Sequence, residues 1–539
     1  MLHGKLQPMH KASDSLPGTV DELTVFVKEL QAKLDHQSQF IEQLLEQIRL
    51  SRHQHFGTRS ERFNIDQLSL LFNEAEVLSA ADSSETYTTD DQAESGNDIE
   101  QSIAVVGHVR QKGGRRPLPP ELPRIEIIHD IADEDKVCAH DHSPLKHIGE
   151  KITEQLDIVP AQVRVIRNIR RQYACSTCDQ TIKTATLPPQ PIAQSIATPG
   201  TLAHITVSKY ADGLPLYRQS KQWERQNIHL PRTTLANWMI KAGILVQPLI
   251  NLMRDTMLAY DIVAMDETRL QVLKEPGKSP QSQSYLWVQR GGPPDRSIIL
   301  YDYDPSRSQD VPVRLLEGFA GYLQSDGYEG YTKVCRHDAI TPLGCWAHVR
   351  RKFDEALKIQ GANKTKQNKL SLAATALQQI QLLYAIERKA KDLTSEQRLT
   401  LRQSSAVPVL GDFRQWLDQH LPLVVPRSAL GKAMNYTHKQ WGKLAVYSED
   451  GRLRIDNNLT ENAIRPFVIG RKNFLFCDTV AGANASANLY SLIETAKANG
   501  LEPYTYLKTV FTQLPKATSL EDIETLLPFK SITELKQAA

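Results

Sequence analysis

The order of apolar runs between residues 261 and 358 limits what this chain can fold into more than any other feature. "DIVAMD" (261–266), "SYLWVQR" (284–290) and "RSIILYDYD" (296–304) are short and rich in β-branched and aromatic residues. Gly, Pro and polar clusters bound them, which is the pattern of strands. A helical pattern covers 306–317. "AGYLQSDGYEGY" then gives a fourth strand ending at Asp326, and "AITPLGCWAHV" a fifth that runs into the helix "AHVRRKFDEALK". The first strand ends abruptly in two acids, Asp266 and Glu267.

This order is that of a ribonuclease H-like α/β core, in which the first and fourth strands lie side by side. Asp266 and Asp326 are then expected to face one another across a few Å. Two carboxylates held that close repel unless a divalent cation lies between them. Hard oxygen ligands suit Mg²⁺ or Mn²⁺, and two such ions clamp the attacking and leaving oxygens of an in-line phosphodiester displacement. A third carboxylate is then required from a later helix. "RLRIDNNLTENAIRPFVIGRKNFLF" (452–476) offers Glu461, a turn or so after the cap formers Asn457 and Asn458. Asp456 is the rival, although its place before the Asn pair suggests cap or turn chemistry. Arg465 falls four residues after Glu461 on the same face, and Pro466 is expected to end or kink the helix. Arg471 and Lys472 follow, basic groups that suit a DNA backbone lying across the acids. Glu267 is expected to point away from Asp326 and to support the strand end through a hydrogen bond.

At 539 residues the chain exceeds one compact core, and three or four domains are the natural expectation. Net charge is only +2, but Arg and Lys cluster at 110–116, 164–171, 350–352 and 465–472, which favours a polyanionic partner. No apolar run approaches the roughly 20 residues of a membrane span, and the polar start lacks a signal-peptide core. A cytoplasmic, nucleoid-associated protein is expected.

After a flexible tail (1–18), Leu23, Leu30 and Leu44, with Gln37, occupy one heptad position. Val27, Leu34, Ile41 and Ile48 occupy the other, predicting a coiled coil over 19–50. Residues 51–135 read as a basic, partly disordered linker. It contains "GGRRPLPPELPR", whose Arg115 and Arg116 sit in an extended tetrapeptide able to enter a narrow minor groove. Over 136–182, Cys138, His140, Asp141 and His142 precede a strand-borne C-x-x-C pair, Cys175 and Cys178, which is half of a zinc ribbon. Residues 183–255 are helical. "LYRQSKQWERQ" and "PRTTLANWMIKAG", with Pro231 suited to a first helical turn and Gly243 to a helix end, suggest a helix-turn-helix. Arg232, Thr233 and Thr234 then stand at the tip that faces a groove. An amphipathic helix packed on its own protein, a Pro-rich linker and an ordinary helical hairpin are the plainer readings of the coiled-coil, basic and hairpin stretches. The core's first part spans 256–358, a helical insertion 359–445, its second part 446–500, and a C-terminal helical element 501–539. The scattered Cys335, Cys345 and Cys477 read as buried small hydrophobes.

The segments "MDETRLQVL", "YLQSDGYEGY", "CWAHVRRKFDEA" and "RIDNNLTENAIRPFVIGRKNFLF", together and in this order, resemble transposases of the insertion sequence 66 family. So do "FGTRSER", "GRRPLP" and "IGEKITEQLDIVPAQVRVIRNIRRQYAC", and the resemblance covers nearly the whole chain. It implies a DDE transposase with a multidomain α+β architecture: a ribonuclease H-like core preceded by leucine-zipper-like, zinc-finger-like and helix-turn-helix regions. It carries the acid triad onto Asp266, Asp326 and Glu461. In many relatives the first metal pair is C-x-x-C. Here Asp141 takes the second position, so His140 or His142 has to substitute, giving Cys138, His142, Cys175 and Cys178 as the Zn²⁺ set. The implied reaction is hydrolysis of a phosphodiester at each element end by metal-activated water, followed by attack of the freed 3′-hydroxyl on target DNA. The implied partners are double-stranded DNA, a second copy of the chain and small accessory proteins of the same element. A nuclease of the same fold without strand transfer and a non-catalytic DNA-binding regulator are the alternatives.

Overall fold

The computed structural model describes residues 163–174, 182–293, 295–360 and 371–530. The predicted coiled coil, Arg115 and Arg116, and Cys138, His142, Cys175 and Cys178 lie outside the described residues. The chain divides into two compact units. In the smaller, Glu85–Leu187, strands β1 (Gln172–Ala174) and β2 (Ile182–Thr184) pair antiparallel, with Tyr173 opposite Lys183. They bracket the C-x-x-C pair in sequence.

Among the described residues the larger unit, Met1–Ser84 with Pro188–Ala539, opens on α1 (Pro199–Tyr210), α2 (Leu216–Glu224), α3 (Arg232–Leu245) and α4 (Gln247–Leu258). A sheet follows, begun by β3 (Ile262–Lys274), β4 (Gln283–Gly291) and β5 (Ile298–Asp304). After the short helix α5 (Asp310–Leu315), β6 (Gly321–Gln324) and β7 (Ile340–Leu343) complete its main run in the order β5-β4-β3-β6-β7. β3 and β6 are parallel neighbours, and β4 lies antiparallel on the other edge of β3.

Two expectations about these strands change. β3 does not stop at the acids; it runs to Lys274, so Asp266 and Glu267 lie in mid-strand. The reason is the partner edge, where β4 pairs without a break from Val263↔Gly291 to Gln271↔Gln283. The far end is pinned by buried Glu275, which accepts from Ser284 Oγ (2.5 Å) and Tyr303 Oη (2.7 Å). The helix expected over 306–317 shrinks to α5, with Gly318 at φ +79° closing it and the preceding residues drawn into a loop.

β6 pairs with β3 only over Ile262–Ala264. It can approach because its first residue is Gly321, at φ +140°, where an added Cβ would lie 2.3 Å from the Asp261 carbonyl oxygen. Gly321→Ala is expected to destabilise the core by about 1–3 kcal/mol through this strain and overlap. Chemical denaturation reads the effect, and an unchanged midpoint would contradict it.

Helix α6 (Trp346–Gln360) leads into a helical block: α7 (Leu372–Lys389), α8 (Ser395–Leu401), α9 (Val407–His420) and α10 (Ala429–Ala445). A π-helical turn, Arg402–Ala406, joins α8 to α9. The block has its own apolar core around Trp346, Phe353, Ile380, Phe413 and Met434. Inside it Arg402, 1% exposed, pairs with Glu387 and donates to the carbonyls of Tyr447, Asp450 and Leu453.

The chain returns as α11 (Asn458–Phe474), β8 (Cys477–Thr479), α12 (Val480–Ala498), α13 (Pro503–Gln513) and α14 (Leu520–Thr525). Pro466 neither ends nor breaks α11. Ala463, Ile464, Phe467 and Gly470 bury one face of the helix around it, and that packing outweighs the lost hydrogen bond. β8 adds to the same edge of β3 as β6, but farther along, at Val272 and Lys274. α12 lies against β5, where Ser491 and Thr495 hydroxyls accept from the N–H groups of Tyr301 (2.8 Å) and Ile299 (3.0 Å). Hydroxyls thus satisfy backbone donors that a further strand would otherwise take. Gly243 does not end α3, which continues to Leu245. A Cβ there would meet Ala485 Cα at 2.5 Å, so this glycine serves close contact between α3 and α12. No helix among the described residues is long and apolar enough to cross a membrane.

Candidate active site

Beyond Ala264 and Gln324, the last paired residues of β3 and β6, the two strands part. Asp266 and Asp326 are each two residues past that final pair, so they continue its register from opposite sides of the opening. The edge of β3 stays open until β8 arrives at Val272. The Glu267 N–H donates to Asp266 Oδ1 (2.8 Å), and the Tyr328 N–H to Asp326 Oδ1 (2.9 Å).

Glu461, the expected third carboxylate, lies on α11. Asn457 stands at the helix N-cap, yet its side chain does not cap. Its amide instead donates to the Met265 carbonyl (3.0 Å), tying the helix start to β3 one residue before Asp266. Glu461 follows in the first turns, where the helix dipole favours a negative charge. Asp456 is committed elsewhere. It accepts from Tyr384 Oη (2.8 Å) and from the backbone and amide of Asn458 (3.2 and 2.9 Å), the turn chemistry its position suggested.

The electrostatics bind the three acids into one field. Burial pushes the Asp266 carboxyl well above the usual range, and the charges of Glu267, Asp326 and Glu461 push it further. Asp326 is raised by burial against the opposing Tyr328 N–H and the Arg307 charge. Glu461 is raised by burial against the attraction of Arg351. Arg351 pairs with Glu461 Oε2, while Glu461 Oε1 is buried and has no hydrogen-bond partner among the described residues. His348 Nδ1, equally unpartnered, lies 3.7 Å from that oxygen. Burial and the neighbouring Arg351 and Lys352 push His348 down to about 3, so its ring is neutral near pH 7. Cys345 Sγ accepts the Asn457 N–H at 3.2 Å, and the ligand atoms of Cys345, His348 and Glu461 all lie within 4.8 Å of one another.

Sequence reasoning missed Cys345, His348 and Arg351 as neighbours of Glu461, having read Cys345 as a buried small hydrophobe and 350–352 as a basic run. The signal was their spacing of three, which puts His348 and Arg351 on one side of α6 and Cys345 just before its start. Glu267 also differs from expectation. Its carboxylate takes Arg307 Nε (2.8 Å) and Tyr331 Oη (2.7 Å), so it holds a distant loop rather than the end of a strand. Arg471 donates to Thr268 Oγ1 (3.4 Å) and to the Arg269 carbonyl, close to the acids along β3. Arg465 is half-buried and Lys472 exposed. Arg232 and Thr233 are exposed and Thr234 half-exposed at the start of α3.

The ligand atoms close together among the described residues are those of Cys345, His348 and Glu461 rather than of the three carboxylates, and Glu461 Oε1, a buried acceptor with no partner among those residues, is one that a divalent cation would satisfy. A consequence is measurable. A carboxyl raised in the fold contributes stability that is complete below its unfolded value, about 3.9 for Asp, and is lost as pH rises through the raised value. In chelator, the wild type is therefore expected to lose stability relative to Asp266→Asn as pH climbs from about 4 toward neutrality. Magnesium should restore it increasingly over the same interval. Parallel melting curves of the two proteins across that range would contradict this.

Residues 194–485 match the model of the family described as Transposase IS66 family, and residues 491–529 that of the IS66 C-terminal element. Residues 135–179 match the zinc-finger binding domain of transposase IS66, and residues 43–127 the Transposase C of IS166 homeodomain. The chain is similar to the uncharacterized protein y4jD of Sinorhizobium fredii (strain NBRC 101917 / NGR234), 32% identical over 535 residues. That alignment covers 96% of this chain and 97% of the relative. It is also similar to the uncharacterized protein y4qI of the same organism, 33% identical over 497 residues, covering 89% and 87% of the two chains. With more than half its length inside the family's main model and a relative aligned almost end to end, the chain belongs to the IS66 family of transposases.

Proposed function

We propose that the chain is a DDE transposase of a bacterial insertion sequence. It hydrolyses a phosphodiester at each element end, then joins the freed 3′-hydroxyl to target DNA by transesterification. What supports this reading is the shared register of Asp266 and Asp326 beyond the last β3–β6 pair, together with the tie from Asn457, at the start of the helix that carries Glu461, to Met265. The sheet order, three antiparallel strands then two parallel ones, supports a ribonuclease H-like core.

Magnesium or manganese held by Asp266, Asp326 and Glu461 would supply the positive charge that draws the attacking hydroxyl and the scissile phosphate together. The chain's own residues prepare the site. Backbone N–H groups fix one oxygen of each aspartate and leave the other available among the described residues. Arg351 orients Glu461 through one oxygen and leaves the other free. Arg465, Arg471 and Lys472 give the flank of α11 its positive charge, which suits DNA phosphates.

Cys138, His142, Cys175 and Cys178 would offer Cys₃His donors of the kind that holds Zn²⁺, and with Arg115, Arg116, Arg232, Thr233 and Thr234 they would grip the element ends. Bringing two ends together calls for at least a homodimer, with small accessory proteins of the element as further partners and the nucleoid as the place of action. The test is an assay of the purified full-length chain on a plasmid carrying the element ends. Joined products that require magnesium are expected. Nicks alone would mean a nuclease, and no metal-dependent product at all would overturn the reading.

A further inference from the structure

Glu267 poses an electrostatic question. It is an acid directly beside Asp266, its side chain is 1% exposed, and its charge helps to raise Asp266. A buried acid that served only to pin a loop could sit anywhere else without that repulsion. What it holds is Arg307, forty residues later, on the loop between β5 and α5. Both Nε and Nη2 of Arg307 donate to Glu267 Oε1. The guanidinium lies over the Tyr328 ring, 3.7 Å from its centroid, and Tyr328 Oη donates to the Arg307 carbonyl (2.7 Å). Tyr328 is also the residue whose N–H fixes Asp326. One connected set of contacts therefore positions Asp326, Tyr328, Arg307 and Glu267 together.

The guanidinium is fixed in plane and direction, yet it is not fully used. Its Nη1 has no hydrogen-bond partner among the described residues, and 40% of the side chain is exposed. Its charge, with those of Lys352 and Lys443, is felt at Asp326. A rigid, planar cation with donors turned outward beside an acid cluster suits a phosphate, which arginine binds through two parallel N–H groups.

We propose that Arg307 binds a backbone phosphate of the DNA strand lying across Asp266 and Asp326, with Glu267 and Tyr328 as the residues that position it. The inference rests on the transposase reading. A plain structural pair tying the loop to β3 is the competing account, and the salt dependence of DNA binding separates the two. Each phosphate contact contributes about 0.9 to the slope of log affinity against log salt.

The experiment uses the full-length chain, calcium in place of magnesium, and a fluorescein-labelled duplex of mixed sequence, with anisotropy read over a salt series. Arg307→Met and the paired variant Glu267→Gln/Arg307→Gln are each expected to lower the slope by about 0.9. The paired variant removes both charges together, so it decides the matter if Arg307→Met alone loses its cooperative melt. A folded paired variant with the wild-type slope overturns the inference and leaves the transposase reading standing. A wild-type chain that does not bind the duplex overturns both.

Discussion

On the transposase reading, replacing Asp266 or Asp326 with Asn, or Glu461 with Gln, is expected to lower strand transfer by on the order of 10³-fold or more, the scale seen when one member of a catalytic unit is lost. DNA-end binding is expected to survive in the same preparations. The amide isosteres make this a clean expectation. Asn at 266 or 326 still accepts the N–H of Glu267 or Tyr328 through its oxygen, so the local backbone keeps its contacts. What disappears is the negative charge. Product joining and a gel shift, measured side by side, separate chemistry from binding. Full strand transfer in any one variant removes that residue from the site. Asp456→Asn is the informative contrast. Its carboxylate serves Tyr384 and Asn458, so its loss should reduce the folded fraction and leave the specific activity of folded protein intact.

The second large effect lies in the helical block. Arg402→Met removes a guanidinium that meets Glu387 through two nitrogens and also serves three backbone carbonyls. Breaking a buried pair from one side costs about 3–5 kcal/mol, because the remaining charge stays buried and uncompensated. Arg402→Lys should recover only part, since a point ammonium cannot span a carboxylate and three carbonyls. Urea denaturation followed by the fluorescence of the block's tryptophans reads both variants. A midpoint for Arg402→Met equal to wild type would show that this pair does not hold the block together.

The order of strands was legible because each is a short run of β-branched and aromatic residues between turn formers. The extent of β3 was not. "DETR" breaks the apolar alternation at 266–269, and only pairing with β4, invisible locally, carries the strand through it. Pro466 and Gly243 misled for a related reason. Both are punctuation by local rules, and in both places tertiary packing overrides the local preference. The three acids stood out as a set because carboxylates at strand and helix starts are chemically conspicuous. Their supporting residues did not. Arg307, Tyr331, His348 and Arg351 look like ordinary surface or core residues until folding brings them to Glu267 and Glu461. The placement of Asn457 was anticipated as a cap, but its use as a tie to Met265 depends on a contact across nearly two hundred residues.

That long tie has a consequence for synthesis. A chain leaving the ribosome carries Asp266 and Asp326 well before α11, so for much of translation it holds two acids without the third. Even with α11 out, the outer strand of the sheet lacks the hydroxyls of Ser491 and Thr495, and the far edge of β3 lacks β8. The proposed acid site is therefore completed only when almost the entire polypeptide has emerged. On the transposase reading, a prematurely terminated product would retain the upstream segments proposed to engage DNA while lacking the third acid.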